Sequence, residues 1–337
     1  MVVLEKKRIH ENKELEFQIQ KISEKVKKVK AEVRKILVGQ DDVLTSLFEA
    51  LFANGHILLE GIPGTGKTLL VRTISKVSGS IYSRIQFTPD LLPTDILGIT
   101  TYEEGKGFYT VKGPIFANFV LADEINRSPP KVQSALLEGM QERQVTIGKE
   151  TFVLPHPFLV MATQNPLEQL GTYKLPEAQV DRFLYKIIIT YPSPADEQQI
   201  LKKNITTKKF EDYDLMPILS PTEIIDAQNI VKQIYCDEKI EKYIIRLIDA
   251  TRHPDKYSIE TGKYIEYGSS PRSSISLFIA SKSRALLKSR TYVIQQDVKD
   301  VAMNVLRHRL IVNFEGEAEN ITPEDIIKEI LGKVPIL

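Results

Sequence analysis

Gly61-Ile62-Pro63-Gly64-Thr65-Gly66-Lys67-Thr68 follows the apolar run His56-Ile57-Leu58-Leu59-Glu60 and opens the helical-looking Leu69-Leu70-Val71-Arg72-Thr73-Ile74. It meets G-x-x-x-x-G-K-[ST] at every fixed position and lies in the strand, loop, helix setting that the motif requires. Glycines let the backbone turn with its N–H groups inward, where they can surround a phosphate at the positive end of the next helix. Gly61, Pro63, Gly64, Thr65 and Gly66 are therefore expected to form a phosphate cradle. Lys67 is expected to reach the β- and γ-phosphates, and the Thr68 hydroxyl to take one Mg2+ coordination position. Nucleotide binding is the first functional expectation.

Downstream, strand-like and helical segments alternate. Ala117-Asn118-Phe119-Val120-Leu121-Ala122-Asp123-Glu124 is an apolar run ending in two carboxylates, the pattern of a buried parallel strand with chemistry at its C-terminal end. Phe158 to Asn165 and Tyr185 to Thr190 read as further buried strands, and Pro129-Pro130 starts a helix to about Glu142. Ile81 to Phe87 reads as a short strand, and Tyr102 to Pro114 and Val145 to Leu154 as two β-hairpins. Strands alternating with helices predict an α/β sandwich around a mostly parallel sheet. Pro192-Ser193-Pro194 breaks the composition, and helical periodicity follows it. The expected division is an N-terminal helical extension over 1–36, a nucleotide-binding α/β domain over 37–192 and a helical domain over 193–337.

The N-terminal segment carries Leu15, Ile19, Ile22, Val26, Val29, Val33 and Ile36 at alternating four- and three-residue steps, the apolar seam of a helix. The run only just reaches the three heptads a coiled coil needs, so packing on the body of the protein is the preferred expectation. The first residues, to about 14, lack the pattern and are expected to fray. Leu37-Val38-Gly39-Gln40 breaks this helix, and Asp41-Asp42 supplies an N-terminal signal for the next.

With 337 residues, 42% hydrophobic and 26% charged, the chain has the composition of a globular protein of about two domains. Its 45 Lys and Arg nearly balance 44 Asp and Glu, which argues against a polyanion partner, since nucleic-acid backbones are bound through accumulated cations. No stretch suggests a signal peptide or a membrane span, so a cytoplasmic location is expected. The single Cys236 excludes internal disulfides and cysteine-cluster metal sites.

A phosphate loop alone does not distinguish kinases, GTPases and motor ATPases. Asp123 is placed to hold the Mg2+ hydration shell, and Glu124 to orient and polarise an attacking water. Asn165 could hydrogen-bond that water or the γ-phosphate; in isolation it would be an ordinary turn asparagine before Pro166. The Gly61–Thr68 loop, the Val120-Leu121-Ala122-Asp123-Glu124-Ile125-Asn126-Arg127 strand end and Asn165 together resemble the AAA+ ATPases. Phe87 to Asp95, Lys131 to Glu138, Leu175 to Phe183, Gly268 to Arg272 and Val305 to Leu310 resemble the MoxR family in particular, over about Val33 to Leu331. Departures are few: Ser128 and Ser269 stand where alanine is common in that family, and the N-terminal helix is longer.

That resemblance implies an AAA+ P-loop NTPase αβα sandwich with a parallel sheet, followed by a small helical lid, binding ATP and Mg2+. It makes Asn165 the sensor 1 residue, Arg182 an arginine finger offered to a neighbouring subunit and Arg272 the sensor 2 arginine. Val38, Gly39 and Gln40 would line the adenine pocket. The hairpins would correspond to the helix-2 insert and pre-sensor-1 hairpin of the clade that includes magnesium-chelatase motors and replicative helicases. Arg127 is open between a subunit-interface contact and a nucleotide contact in trans. By resemblance the chain is an ATP-hydrolysing homo-oligomer, hexameric in expectation, that remodels protein clients partnered with von Willebrand factor A-type proteins. The alternatives are a nucleic-acid translocating ATPase and a nucleotide-gated scaffold. Glu103, Glu104, Lys106, Lys149 and Glu150 give the hairpin tips mixed charge, which favours a protein client over a nucleic acid. The intact Glu124 argues against a non-hydrolysing scaffold.

Overall fold

The computed structural model describes residues 2–62, 64–105, 107–165, 171–203 and 210–336, with side chains from Lys13 onward, Lys203 excepted. Pro63, Lys106 and Pro166, named above, lie outside the described residues. The chain begins with α1 (Val2–Val33) and α2 (Asp41–Phe52), then β1 (Ile57–Gly61), α3 (Lys67–Val77) and β2 (Tyr82–Gln86). Next come α4 (Pro93–Leu97), the hairpin β3 (Gly98–Glu103) and β4 (Gly107–Lys112), β5 (Phe119–Asp123), and α5 (Pro130–Glu142). A second hairpin, β6 (Gln144–Ile147) and β7 (Glu150–Val153), leads to β8 (Leu159–Gln164), α6 (Glu177–Val180) and β9 (Tyr185–Ile189). The remainder comprises α7 (Pro194–Lys203), α8 (Pro221–Gln233), α9 (Glu238–Arg252), β10 (Ile265–Tyr267), α10 (Pro271–Leu287), α11 (Gln295–Leu306), β11 (Ile311–Val312), α12 (Phe314–Ala318) and α13 (Pro323–Lys333).

The central sheet has five parallel strands in the order β2-β5-β8-β1-β9. Its residues alternate between two apolar clusters: Ile57, Leu59, Phe119, Leu121, Leu159 and Met161 face one, and Leu58, Val120, Ala122, Val160 and Ala162 the other. Because both faces are covered, the strands read as continuous apolar runs. The first cluster continues into α1, α2, α3 and the helices beyond α7, so the C-terminal helices share a core with one face of the sheet. The second lies under α5 and the β6–β7 hairpin.

Ile19, Ile22, Val26, Val29, Val33 and Ile36 are buried, so the seam on α1 docks on the body of the protein, against α3, α8 and α10. The helix also runs back to Val2, where no apolar pattern predicts it and fraying was expected; its lysines and glutamates are good helix formers by themselves. The two-stranded sheet of β10 and β11 interrupts a region whose periodicity announces only helices. Among the described residues no helix is long and apolar enough to cross a membrane.

Candidate active site

β1 ends at Gly61, and the chain turns through Gly64 (φ +82°) and Gly66 (φ +78°) into α3. Both torsions lie in the left-handed region that disfavours a side chain, which is why glycine stands at these places. Gly66 is the N-cap of α3 and no side chain caps the helix, so its positive end faces the loop. The Thr65 hydroxyl donates to the Ile62 carbonyl (2.9 Å), and Lys67 Nζ folds back to donate to the Gly61 carbonyl (2.5 Å). From the segment before α2, Gln40 Nε2 donates to the Thr65 carbonyl (2.8 Å), docking residues 37–40 on the phosphate loop. Gly39 lies in the left-handed region against the Asp196 side chain, and Val38 is half-buried.

β5 delivers Asp123 and Glu124 to the same edge of the sheet. Asp123 is buried; its Oδ2 accepts from Arg84 Nε (3.0 Å) and a terminal Arg84 nitrogen (2.7 Å), and its Oδ1 from the Thr163 hydroxyl (2.7 Å). Glu124 takes a left-handed backbone (φ +57°), which turns the chain off the strand, and its Oε2 accepts from Gln86 Nε2 (2.9 Å) and Arg127 (2.9 Å). A cavity of about 410 Å³ is lined by Gly64, Thr65, Gly66, Lys67, Thr68, Leu69, Asp123, Glu124 and Asn165. The glycine loop with Lys67 and Thr68, two carboxylates and a buried amide thus converge from three parts of the sequence. Thr68 and Asp123 offer the hard oxygen donors that Mg2+ prefers, and a glycine cradle at a helix N-terminus suits a polyphosphate.

The other expected site residues stand apart. Val38, Gly39 and Gln40 do not line this cavity, and neither do Arg182 and Arg272. Arg182 donates to the Leu137 carbonyl (3.2 Å) rather than pairing with its neighbour Asp181. The Asp181 carboxylate instead accepts from Arg309 Nε (2.7 Å), Arg272 (3.3 Å) and the Ser270 hydroxyl (3.2 Å). Arg309 is buried and also donates to the carbonyls of Asp181, Phe183 and Leu184, so the segment carrying Arg182 hangs on one guanidinium.

Arg84, Gln86, Thr163, Asp181 and Arg309 were not anticipated from the sequence. Arg84 and Gln86 alternate along β2 onto one face, a visible signal. What it lacks is the partner: Gln86 stands opposite Asp123 only because β2 pairs with β5. The β3–β4 hairpin carries a further surprise. Its tip carries mixed charge, but the register also sets Tyr102 opposite Phe108 with ring centroids 5.2 Å apart, and the two residues are 62% and 79% exposed.

A family model of the ATPase family associated with various cellular activities matches residues 56–185, and one of the AAA lid domain matches 259–330. Chaperone MoxR1 of Mycobacterium tuberculosis is 47% identical over 308 residues, covering 90% of this chain and 80% of that protein. Protein MoxR of Methylorubrum extorquens is 30% identical over 323 residues, covering 90% and 93%. The crystal structure of a candidate ATPase from Cytophaga hutchinsonii superposes with a TM-score of 0.91 at 47% identity, covering 97% of this chain and 99% of the other.

Proposed function

The chain belongs to the MoxR family of AAA+ ATPases, and from that premise we propose that it hydrolyses ATP in a cytoplasmic homo-oligomeric ring, hexameric by analogy, that remodels client proteins. The observation that carries this reading is the convergence of Lys67, Thr68, Asp123, Glu124 and Asn165 on one cavity. ATP would sit with its phosphates at the N-terminus of α3, countered by Lys67. Thr68 and Asp123 would hold Mg2+, which when bound supplies positive charge against the phosphates. Glu124 would take the water proton, exchanging its bond to Gln86 or Arg127 for one to the water. Asn165 would orient that water or the γ-phosphate, and Val38, Gly39 and Gln40 would meet the base. Functionally the chain divides at 36/37 and 192/193 into extension, motor and lid.

Arg182 serves as a finger for the neighbour's nucleotide in this reading. Arg272 is bonded to Asp181, the residue before Arg182, and no lid residue lines the phosphate cavity among the described residues. That arrangement supports presentation of both arginines from one surface, in trans. The mixed charge of Glu103, Glu104 and Lys106 at this tip supports protein clients, with von Willebrand factor A-type proteins as the expected partners, over a nucleic acid, which would call for basic, aromatic-bearing hairpins; the exposed Tyr102 and Phe108 supply only the aromatic half of that pattern.

The test is a pair of substitutions. Glu124→Gln is expected to retain ATP binding while kcat falls roughly a hundredfold or more. Lys67→Ala is expected to weaken nucleotide binding itself, because the phosphates lose their cation. Unchanged turnover in the first, or wild-type affinity in the second, refutes the reading.

A further inference from the structure

Thr163, on β8, is 1% exposed, and its hydroxyl is engaged twice. It donates to Asp123 Oδ1 (2.7 Å) and accepts from the Glu124 backbone N–H (2.8 Å). The position follows from the sheet: Ala122 pairs with Ala162, so the residue after each strand partner brings Thr163 beside Asp123. A threonine hydroxyl has one proton to give, and here it is committed to the carboxylate. The same oxygen ties down the amide of Glu124 at the step where the backbone enters the left-handed region (φ +57°, ψ +50°), a conformation uncommon for a residue with a side chain. Glu124 lines the same cavity as the glycine loop, with its carboxylate held by Gln86 and Arg127.

We propose that Thr163 is a positioning residue that locks the Asp123 carboxylate and the Glu124 turn to one another, so that the metal-holding and water-activating carboxylates keep a fixed spacing. The assignment rests on the site reading above. Arg84 holds the other oxygen of Asp123 but is half exposed, so the buried hydroxyl supplies the fixed end. Removing it would leave a buried N–H and a carboxylate oxygen short of a partner and release the left-handed turn. A hydroxyl on a shorter side chain would still make both bonds.

The experiment compares wild type, Thr163→Val, Thr163→Ser and Glu124→Gln by steady-state turnover, by the affinity of a fluorescent ATP analogue with EDTA and with Mg2+, and by melting temperature. Thr163→Val is expected to lose roughly ten- to a hundredfold in kcat, the scale of leaving buried polar groups unpaired. It should bind the analogue normally in EDTA, while the gain in affinity that Mg2+ brings shrinks severalfold. Thr163→Ser is expected to recover most of both. Should the valine chain fail to fold, Thr163→Ala is read in the same way. Wild-type turnover and Mg2+ gain in the hydroxyl-free chain overturn the proposal. So does an equal loss in the serine chain, which would assign the effect to packing of the methyl group. Full turnover by Glu124→Gln overturns the site reading itself, whereas an inactive Glu124→Gln beside a fully active Thr163→Val overturns only this assignment.

Discussion

His56, the residue before β1, shows how a side chain outside the site conditions the sheet that carries it. It is buried, its Nδ1 accepting from the Val160 N–H (3.0 Å) and its Nε2 donating to the Met140 carbonyl (3.0 Å). Burial, aided by the nearby Arg143 charge, lowers its pKa from the usual 6.5 to about 3. The unfolded chain therefore binds a proton that the folded chain refuses. Stability from this residue is complete above about pH 6.5 and is lost as pH falls toward 3. Between pH 7.5 and 5.5 the loss amounts to about 1.4 kcal/mol. The urea midpoint is expected to drop accordingly, and His56→Gln, which keeps a donor and an acceptor without titrating, should shrink that difference by the share of His56, leaving the share of His308, whose pKa burial also lowers, even if the variant is less stable at both pH values. An unchanged pH dependence in the variant would refute the assignment.

Between elements, the C-terminal helices are fastened to α2 and the sheet by a buried ion-pair cluster. Arg284 on α10 pairs with Glu49 on α2 (2.6 Å) and with Asp300 on α11 (2.5 Å), while the Ser283 hydroxyl donates to the Glu49 carbonyl (2.7 Å). Glu49 is 2% exposed and also accepts from the Tyr185 hydroxyl on β9 (3.1 Å). Three layers of the molecule thus meet at one carboxylate. Arg284→Met removes the cation and leaves the charge buried, at a cost of about 3 kcal/mol. The melting temperature should fall by several degrees, and Glu49→Gln in the same chain should restore part of it. A loss in the double variant equal to the sum of the two single losses would show that the pair is not coupled. Arg309 makes the second fastening, holding residues 181–184 and therefore the candidate finger at Arg182.

At the scale of the whole molecule, the arginines proposed to complete the site lie away from its own phosphate cavity. Hydrolysis is therefore expected to require assembly, with turnover per chain rising steeply with concentration. A finger supplied by a neighbour contributes about 10³–10⁵ in rate. Arg182→Ala and Glu124→Gln should each be nearly inactive, and a mixture should partly recover activity, because some mixed interfaces pair an intact Glu124 with an intact Arg182. If the mixture co-assembles but stays inactive, or if dilute monomer turns over at the full rate, the ring reading fails.

The residues proposed to meet phosphate and metal stand out in the chain because the pattern that marks them is local: a glycine loop lies between a strand and a helix, and a carboxylate pair ends an apolar strand. The apolar alternation of β1, β5 and β8 and the seam on α1 were legible for the same reason, since burial imposes periodicity. The groups that hold those residues in place are long-range partners, and periodicity does not say which strand lies beside which. Gln86 reaches Glu124 only through the β2–β5 pairing. Thr163 reaches both carboxylates only because β8 lies next to β5. Asp181 pairs with Arg309, far along the chain, because Arg309 is buried against the segment that leads into β9. The sequence determined which chemistry the molecule carries; the tertiary structure decided how that chemistry is held, because a buried charge must find a partner wherever the fold brings one.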